Sequence, residues 1–414
     1  MEPVRLKPHK IPAVMTWAGL AGYGFFAPAS IAISQIFFGL ALAGFIVFIV
    51  FHPERKRLVF PPNLLLILMA VYTALRFLSI IVAGTDPYAI KEEWLFLVAI
   101  VGAVMFRDIK NLSRVLDFTA AGLLIMGGYG IWQHFVGIDL YHGVLLDRMN
   151  FGFRAIGNFS TYLTFSGLFA VASIFLVPAA FTAPTRNRKL YYLLASQIGL
   201  ACTLFNYSRS TIVALAVGVV ILLLLIGVRY RKWVVMVLLL TVAAGTVISP
   251  DLMSRFKTTN RSEFSGQAAN SRIAIWRTTL RMIEAKPLWG IGPGNYAQKY
   301  IEYRLNRTGK NLSHAHNDIL SVAAESGIPC ALAFLALWLA ILHYLYRGYR
   351  KCPEGFQKGL ILGAFIASVV FLVMAQFEAF FADEEVRTML MFVWGVGLAV
   401  LGNMKASERL SEIA

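Results

Sequence analysis

The chain has 414 residues, of which 58% are hydrophobic and 14% charged, against about 25% charged in ordinary soluble domains. This excludes a soluble globular protein. The formal charge of +16 does not indicate a nucleic-acid binder either, because the basic residues fall between long apolar runs. Cys202, Cys330 and Cys352 lie in two of those runs and one connection, with no CxxC, zinc-ligand or disulfide spacing.

A membrane span needs about 20 apolar residues, and twelve candidate runs can be counted. The first, 11–27, stands behind a basic leader with Arg5, Lys7 and Lys10. With Ala27 and Ala29 imitating a cleavage site, it has the look of a signal peptide. A full span at 30–51 follows at once, which favours an uncleaved helical hairpin. The others are 63–83, 94–106, 115–135, 162–181, 190–206, 211–228, 233–249, 319–344, 360–381 and 389–401. The run at 94–106 is short enough to need tilt or extension. The expected fold is therefore all-α and polytopic, with about twelve transmembrane helices.

Short-loop charge orients these spans, since Lys and Arg are retained on the cytoplasmic side. Arg55-Lys56-Arg57, Arg107 with Lys110 and Arg114, Arg186 with Arg188 and Lys189, Arg229 with Arg231 and Lys232, and Arg347 with Arg350, Lys351 and Lys358 all follow even-numbered spans. Both termini are expected in the cytoplasm, and the connections near Asp86 and at Asp383-Glu384-Glu385 on the outer side. The chain divides into spans one to nine in 1–249, a large helical outer loop at 250–315, and spans ten to twelve with a short cytoplasmic tail in 316–414.

That loop carries eleven Lys or Arg and four Asp or Glu between positions 250 and 313. A structureless connection of this length would be unusual unless functional. The stretch 271–286 places Ile273, Trp276, Leu280 and Ile283 on one helical stripe with Arg277 and Arg281 opposite, which predicts a helix lying on the membrane surface. At 100° per residue Arg272 falls within the apolar sector, unlike its two basic neighbours. Pro287 ends the helix, and Gly290, Gly292 and Gly294 predict a tight turn. Their spacing is not a dinucleotide-binding fingerprint.

The loop ends in His314-Ala315-His316-Asn317-Asp318, where the tenth span begins. One reading is a solvated helix start capped by Asn317 or Ser313. A metal site is disfavoured, because histidines two apart on a helix point about 200° from each other and no Cys or HExxH partner is near. The sharper reading is a general base: a helix N-terminus and nearby arginines disfavour the protonated imidazole, leaving it free to accept a proton. A basic pocket beside it would suit phosphate. Arg209, in NYSRST, is the only charge in a short outer turn and reads either as a pocket residue or as a snorkelling boundary arginine. Arg154, in FGFRAIGNF, is on the same face, with Arg148 an equal claimant on composition. Arg76 and Glu325 lie within spans and are expected to pair. His134, His142 and Glu378 have ordinary boundary or loop readings.

The stretch NSRIAIWRTTLRMIEAKPLWGIGPGNY followed by HAHNDILSVAAESGIP, with a large outer loop between late spans, resembles the bacterial O-antigen ligase and polymerase group of polytopic membrane glycosyltransferases. In ligases a histidine and a small polar residue are typically followed, after nine others, by Gly-x-x and a Gly, Thr or Tyr. Here His316-Asn317 reaches Gly327 at that spacing, and the last position departs as Cys330. The resemblance covers topology throughout and specific sequence features from about Arg154 to Pro329.

It implies a GT-C-like fold in a Gram-negative inner membrane, with the loop and active site facing the periplasm. A glycan on undecaprenyl diphosphate would be transferred to a sugar hydroxyl of lipid A-core, with inversion and with no metal, cofactor or nucleic acid. Undecaprenyl diphosphate is then the donor carrier, and membrane lipids surround both substrates. His316 would be the general base, and Arg209 and Arg272 the catalytic arginines on the diphosphate. Arg154, His314 and Asn317 are candidate substrate-binding residues. The alternatives are a polymerase or a protein O-glycosyltransferase of the same group. The short tail after the last span favours the ligase. A lipid-linked glycan flippase or transporter would show repeats with matched broken helices, and the interruption at 326–329 has no counterpart in the first half.

Overall fold

The computed structural model describes residues 11–51, 58–149, 151–248, 271–304 and 311–413. Arg5, Lys7 and Lys10 of the basic leader, the Arg55-Lys56-Arg57 segment and residues 250–270 of the expected loop lie outside the described residues.

Each of the twelve apolar runs forms a helix. The first nine are α1 (Ile11–Phe26), α2 (Ile31–Phe51), α3 (Asn63–Ala83), α4 (Phe96–Met105), α5 (Ile109–Val136), α6 (Tyr162–Thr182), α7 (Arg186–Phe205), α8 (Arg209–Leu225) and α9 (Val228–Ile248). The basic segment that follows supplies α10 (Arg272–Ala285) and α11 (Tyr296–Tyr303). The last three runs are α12 (Asp318–Lys351), α13 (Phe356–Met374) and α14 (Glu384–Ile413). Side-chain oxygens of Asp108, Thr161, Thr185 and Asn317 cap α5, α6, α7 and α12 by accepting from backbone N–H groups of the first turn. A two-stranded hairpin, Ile138–Asp139 with Val144–Leu145, is the only sheet among the described residues.

This is an all-α membrane protein. Seven described helices, α2, α3, α5, α6, α12, α13 and α14, are long and apolar enough to cross a membrane, so the expectation of twelve full spans is supported for seven. The others differ for visible reasons. α1 and α8 are apolar but have 16 and 17 residues. α4 has ten, about 15 Å of helix, and is preceded by the 3-10 segment Pro87–Leu95. α7 and α9 begin with clustered basic residues.

Nearly all of α6 and of the 384–404 part of α14 is buried, against about a third of α2 and α3, so the former pair forms the centre of the bundle. α6 is apolar on all sides, as a helix surrounded by other helices must be. It packs against α7, α13 and α14. Glycines allow close crossings with α13: a Cβ on Gly363 would lie 2.3 Å from Phe175 O.

Arg76 and Glu325 do pair, with Nη1 3.7 Å from Oε2. They belong to a larger buried set. Arg76 also lies 3.4 Å from Glu93, whose other carboxylate oxygen accepts from Arg387 at 2.6 Å. The Arg387 guanidinium packs over Phe381 at 4.0 Å and Phe96 at 4.8 Å. One carboxylate thus holds two arginines from helices at opposite ends of the chain.

The set fixes a broken helix. At Gly327 (φ 86°, ψ 168°) α12 leaves helical geometry, and the segment 286–294 lies against the break. Ile291 N–H donates to Ala324 O and Gly292 N–H to Glu325 O, both at 2.9 Å, and Ile328 N–H donates to Pro287 O at 2.8 Å. The Glu325 carboxylate accepts from Gly294 N–H at 3.3 Å. The approach is too close for side chains: a Cβ on Gly327 would meet Leu288 O at 2.1 Å, and one on Gly290 would meet Glu325 O at 2.4 Å. Both glycines have positive φ, so any L residue there is strained as well as crowded.

α10 forms over the expected residues, with Ser271 as its cap, but its buried face is rotated from the predicted stripe. Leu280 is 46% exposed, and Ile273 and Trp276 are half-buried. The buried face is Ala274, Ile275, Thr278, Thr279, Met282 and Ile283. The cause is protein cover. α10 packs on α11 and α12, and Thr279 Oγ1 lies 2.6 Å from the Tyr296 hydroxyl. Arg277 and Arg281 are exposed, as expected.

Removing one partner of a buried ion pair strands the other charge at a cost of about 3–5 kcal/mol. Glu93→Ala strands two arginines, so thermal denaturation of the purified protein in detergent should show destabilisation of at least that order. A change within error of wild type would remove Glu93 from this role.

Candidate active site

The α12 N-terminus is tied to the connection between α13 and α14 by a series of hydrogen bonds. Asp318 N–H donates to Ala375 O at 2.9 Å, and the Asp318 carboxylate accepts from Phe381 N–H at 2.9 Å. The Asn317 amide donates to Gln376 Oε1 at 3.2 Å, while its carbonyl oxygen caps Leu320 N–H at 3.0 Å. His316 Nδ1 lies 2.8 Å from Glu378 Oε1.

The two histidines precede the helix, so the helical argument that they diverge does not apply. His316 adopts a left-handed backbone (φ 51°), one of two non-glycine residues with positive φ among the described residues. Strain of this kind clusters at functional sites. It turns the rings together, with centroids 4.2 Å apart. His314 Nε2 is 3.3 Å from the same Glu378 oxygen, and His316 N–H donates to His314 Nδ1 at 3.2 Å.

These bonds assign the tautomers. His314 Nδ1 accepts from a backbone N–H, so its Nε2 carries the proton and points it at Glu378. A carboxylate only accepts, so His316 Nδ1 also carries a proton, and in the neutral imidazole Nε2 is then left with the lone pair. The arrangement presents an imidazole nitrogen ready to take a proton, oriented by a carboxylate as in hydrolytic triads. Burial pushes His314 down to about 4, with Arg272 and His316 acting the same way against the opposing pull of Glu378. Burial alone would raise the Glu378 carboxyl. The His316 hydrogen bond and the charges of the histidines and Arg272 outweigh it and hold the group below its usual range. Arg272, the first residue of α10, is therefore within electrostatic reach of the cluster.

Arg154 is tied to the turn that precedes Arg209. Arg154 Nε donates to Asn206 O at 3.2 Å, three residues before Arg209, and its guanidinium stacks 3.6 Å above Tyr162. Arg148, the other claimant, is exposed, whereas Arg154 is half-buried. Tyr207, the second residue with positive φ (58°), makes the turn into α8. α8 runs antiparallel to α13: a Cβ on Gly218 would meet Val370, and Leu225 O accepts from Tyr349, which lies beside Lys358. Counting nine residues outward from Gly218, about 13 Å of helix, brings Arg209 to the level of the α13–α14 connection that carries Glu378.

Residues 194–335, about a third of the chain, match the model of a family described as O-antigen ligase. That segment resembles an O-antigen ligase domain. The family is one of membrane glycosyltransferases. No curated protein matches the chain. The matched segment contains Arg209, Arg272, His314, His316 and Asn317, whereas Arg154 and Glu378 lie outside it.

Glu378 is the residue that sequence reasoning missed by treating it as a boundary carboxylate. The available signal was an acidic residue in a short connection on the same expected side as His316. The side chain of Asn317 is engaged in capping and tethering, which supports the helix-start reading of that residue. His314, His316 and Glu378 also bring ligand atoms within 4.8 Å of one another, so these three could hold a metal ion.

The depressed His314 group has a stability consequence. The unfolded chain takes up a proton at position 314 near pH 6.5, before the folded protein does, so stability falls as the pH drops from about 6.5 towards 4 and this loss is complete below that. Melting temperatures across this range should decline on acidification, and His314→Asn should decline less. Equal slopes would contradict the assignment.

Proposed function

We propose that this protein is an O-antigen ligase acting at the periplasmic face of a bacterial inner membrane. It would move a glycan from undecaprenyl diphosphate to a sugar hydroxyl of lipid A-core by one inverting displacement. The observation that carries the reading is the His316–Glu378 hydrogen bond, which leaves Nε2 of a half-buried histidine free at a membrane-boundary site.

In the reaction, His316 Nε2 takes the proton from the acceptor hydroxyl as its oxygen attacks the anomeric carbon. A new glycosidic C–O bond forms, the C–O bond to the diphosphate breaks, and the electron pair leaves on the diphosphate oxygen. Arg272 and Arg209 meet that growing negative charge, with Arg154 beside them. Glu378 keeps Nδ1 protonated and stabilises the imidazolium that forms, as the carboxylate of a serine-protease triad does. The diphosphate is a good leaving group, so no second carboxylate acid is needed. The Arg76–Glu93–Arg387–Glu325 set holds the α12 break beneath the site and takes no part in the chemistry.

Purified protein given lipid-linked glycan and lipid A-core should form the ligated product. His316→Ala should abolish it while the protein remains folded. Chain extension of the donor would indicate a polymerase, and glycan movement without bond formation a transporter. Activity should persist in a chelator; loss restored by zinc would make the His–His–Glu cluster a metal site. Arg272→Ala should lower turnover by about a hundredfold or more, and Arg277→Ala should change it little. Equal small effects would remove Arg272 from the site.

A further inference from the structure

A cavity of about 490 Å³ lies between the end of α3, the 286–291 segment and α11. Its lining is divided by chemistry. Lys286 and Lys299 supply two ammonium groups, and Val82, Leu288 and Trp289 supply an apolar side. Val82 and Leu288 are more than half exposed, so the apolar side is open to whatever surrounds the bundle. Lys299 holds Glu302 at 2.8 Å, but this pair is on the surface, where exchange for another anion costs little.

The cavity and the histidine cluster lie at opposite ends of one rigid element. Arg272, within electrostatic reach of His314 and Glu378, begins α10, and Lys286 follows its last residue. Fourteen helical residues separate them by about 20 Å. A ligand using both places therefore has an anionic group beside its lipid end and a reactive group a few sugar units away. A simple phospholipid headgroup is too short, and a neutral glycan has no use for the lysines.

We propose that this cavity binds the lipid-borne phosphate of the acceptor glycolipid, with Lys286 and Lys299 on the phosphate, the acyl region along Val82 and Leu288, and the distal sugar extending along α10 to His316. The inference rests on the glycosyl-transfer reading and names where that acceptor is held. It places Lys286 and Lys299 in binding, apart from the reacting atoms.

The test compares wild type with Lys286→Glu/Lys299→Glu and Lys286→Arg/Lys299→Arg, all as full chains in nanodiscs. The probes are lipid A-core and the same lipid after phosphatase treatment, with binding read by native mass spectrometry and transfer by acceptor KM. Charge reversal should weaken binding of the phosphorylated acceptor and raise its KM, by about tenfold for each lysine. Donor KM and saturated turnover should be unchanged, the dephosphorylated acceptor should be insensitive to the substitutions, and the arginine variant should retain affinity. Unchanged binding in the glutamate variant, an equal loss with both acceptors, or displacement of the acceptor by equimolar phosphatidylglycerol would overturn the proposal. Binding is read without turnover, so a chain that binds at the lysines but transfers no glycan would refute the enzyme reading and leave the cavity assignment standing.

Discussion

The hydrogen bond between His316 and Glu378 is the contact on which the site depends, and much of the surrounding structure serves to hold it. The two residues are 62 positions apart and come from the two connections that flank the α12–α13 pair. Their meeting requires the α12 N-terminus to be clipped to residues 375–381, which the backbone and side chains of Asp318 and Asn317 accomplish. It also requires His316 to accept a left-handed backbone. The carboxylate and the His316 backbone N–H then set the proton positions of the two imidazoles, and His316 Nε2 is the ring nitrogen that neither of them uses.

Below that contact is a buried electrostatic frame. A charge inside an apolar bundle is tolerated only when paired, and here four are linked, with Glu93 between Arg76 and Arg387 and with Glu325 on the far side of Arg76. The frame reaches the site through two routes. Glu325 accepts from Gly294 N–H and belongs to the broken part of α12, and Arg387 packs on Phe381, whose N–H is held by Asp318. The break at Gly327 is useful because it exposes backbone carbonyls at 324 and 325, to which the Gly290–Gly294 turn attaches. α10 and α11 are thereby fixed against the bundle, and with them Arg272, within electrostatic reach of His314 and Glu378.

Much of this was legible in the sequence. Apolar run length located twelve helices, because a span must satisfy its backbone internally over a set thickness. The Arg76–Glu325 pair and the interruption near Pro329 followed from the rarity of charge and of Gly-Pro breaks in such runs. His316 stood out as an imidazole at a boundary next to a basic segment. Glu378 did not, since a single carboxylate in a short connection has an ordinary solvated reading until the fold brings it to His316. Glu93 and Arg387 are separated by 294 positions, and no local pattern joins them. The face of α10 was misjudged for a related reason. Periodicity shows that a stripe exists, but whether protein or lipid covers it depends on neighbours such as Tyr296.

The account turns on where the proton of His316 resides. Nitrogen-15 NMR of histidine-labelled protein, with the resonances assigned by His314 and His316 substitutions, reads this directly. The expected result is a neutral His316 protonated at Nδ1 with Nε2 bare, and a His314 protonated at Nε2. Glu378→Ala should release His316 to a mixture of tautomers. A His316 protonated at Nε2 in the wild-type protein, with Nδ1 bare, would contradict the claim that Glu378 prepares this histidine to act as a base.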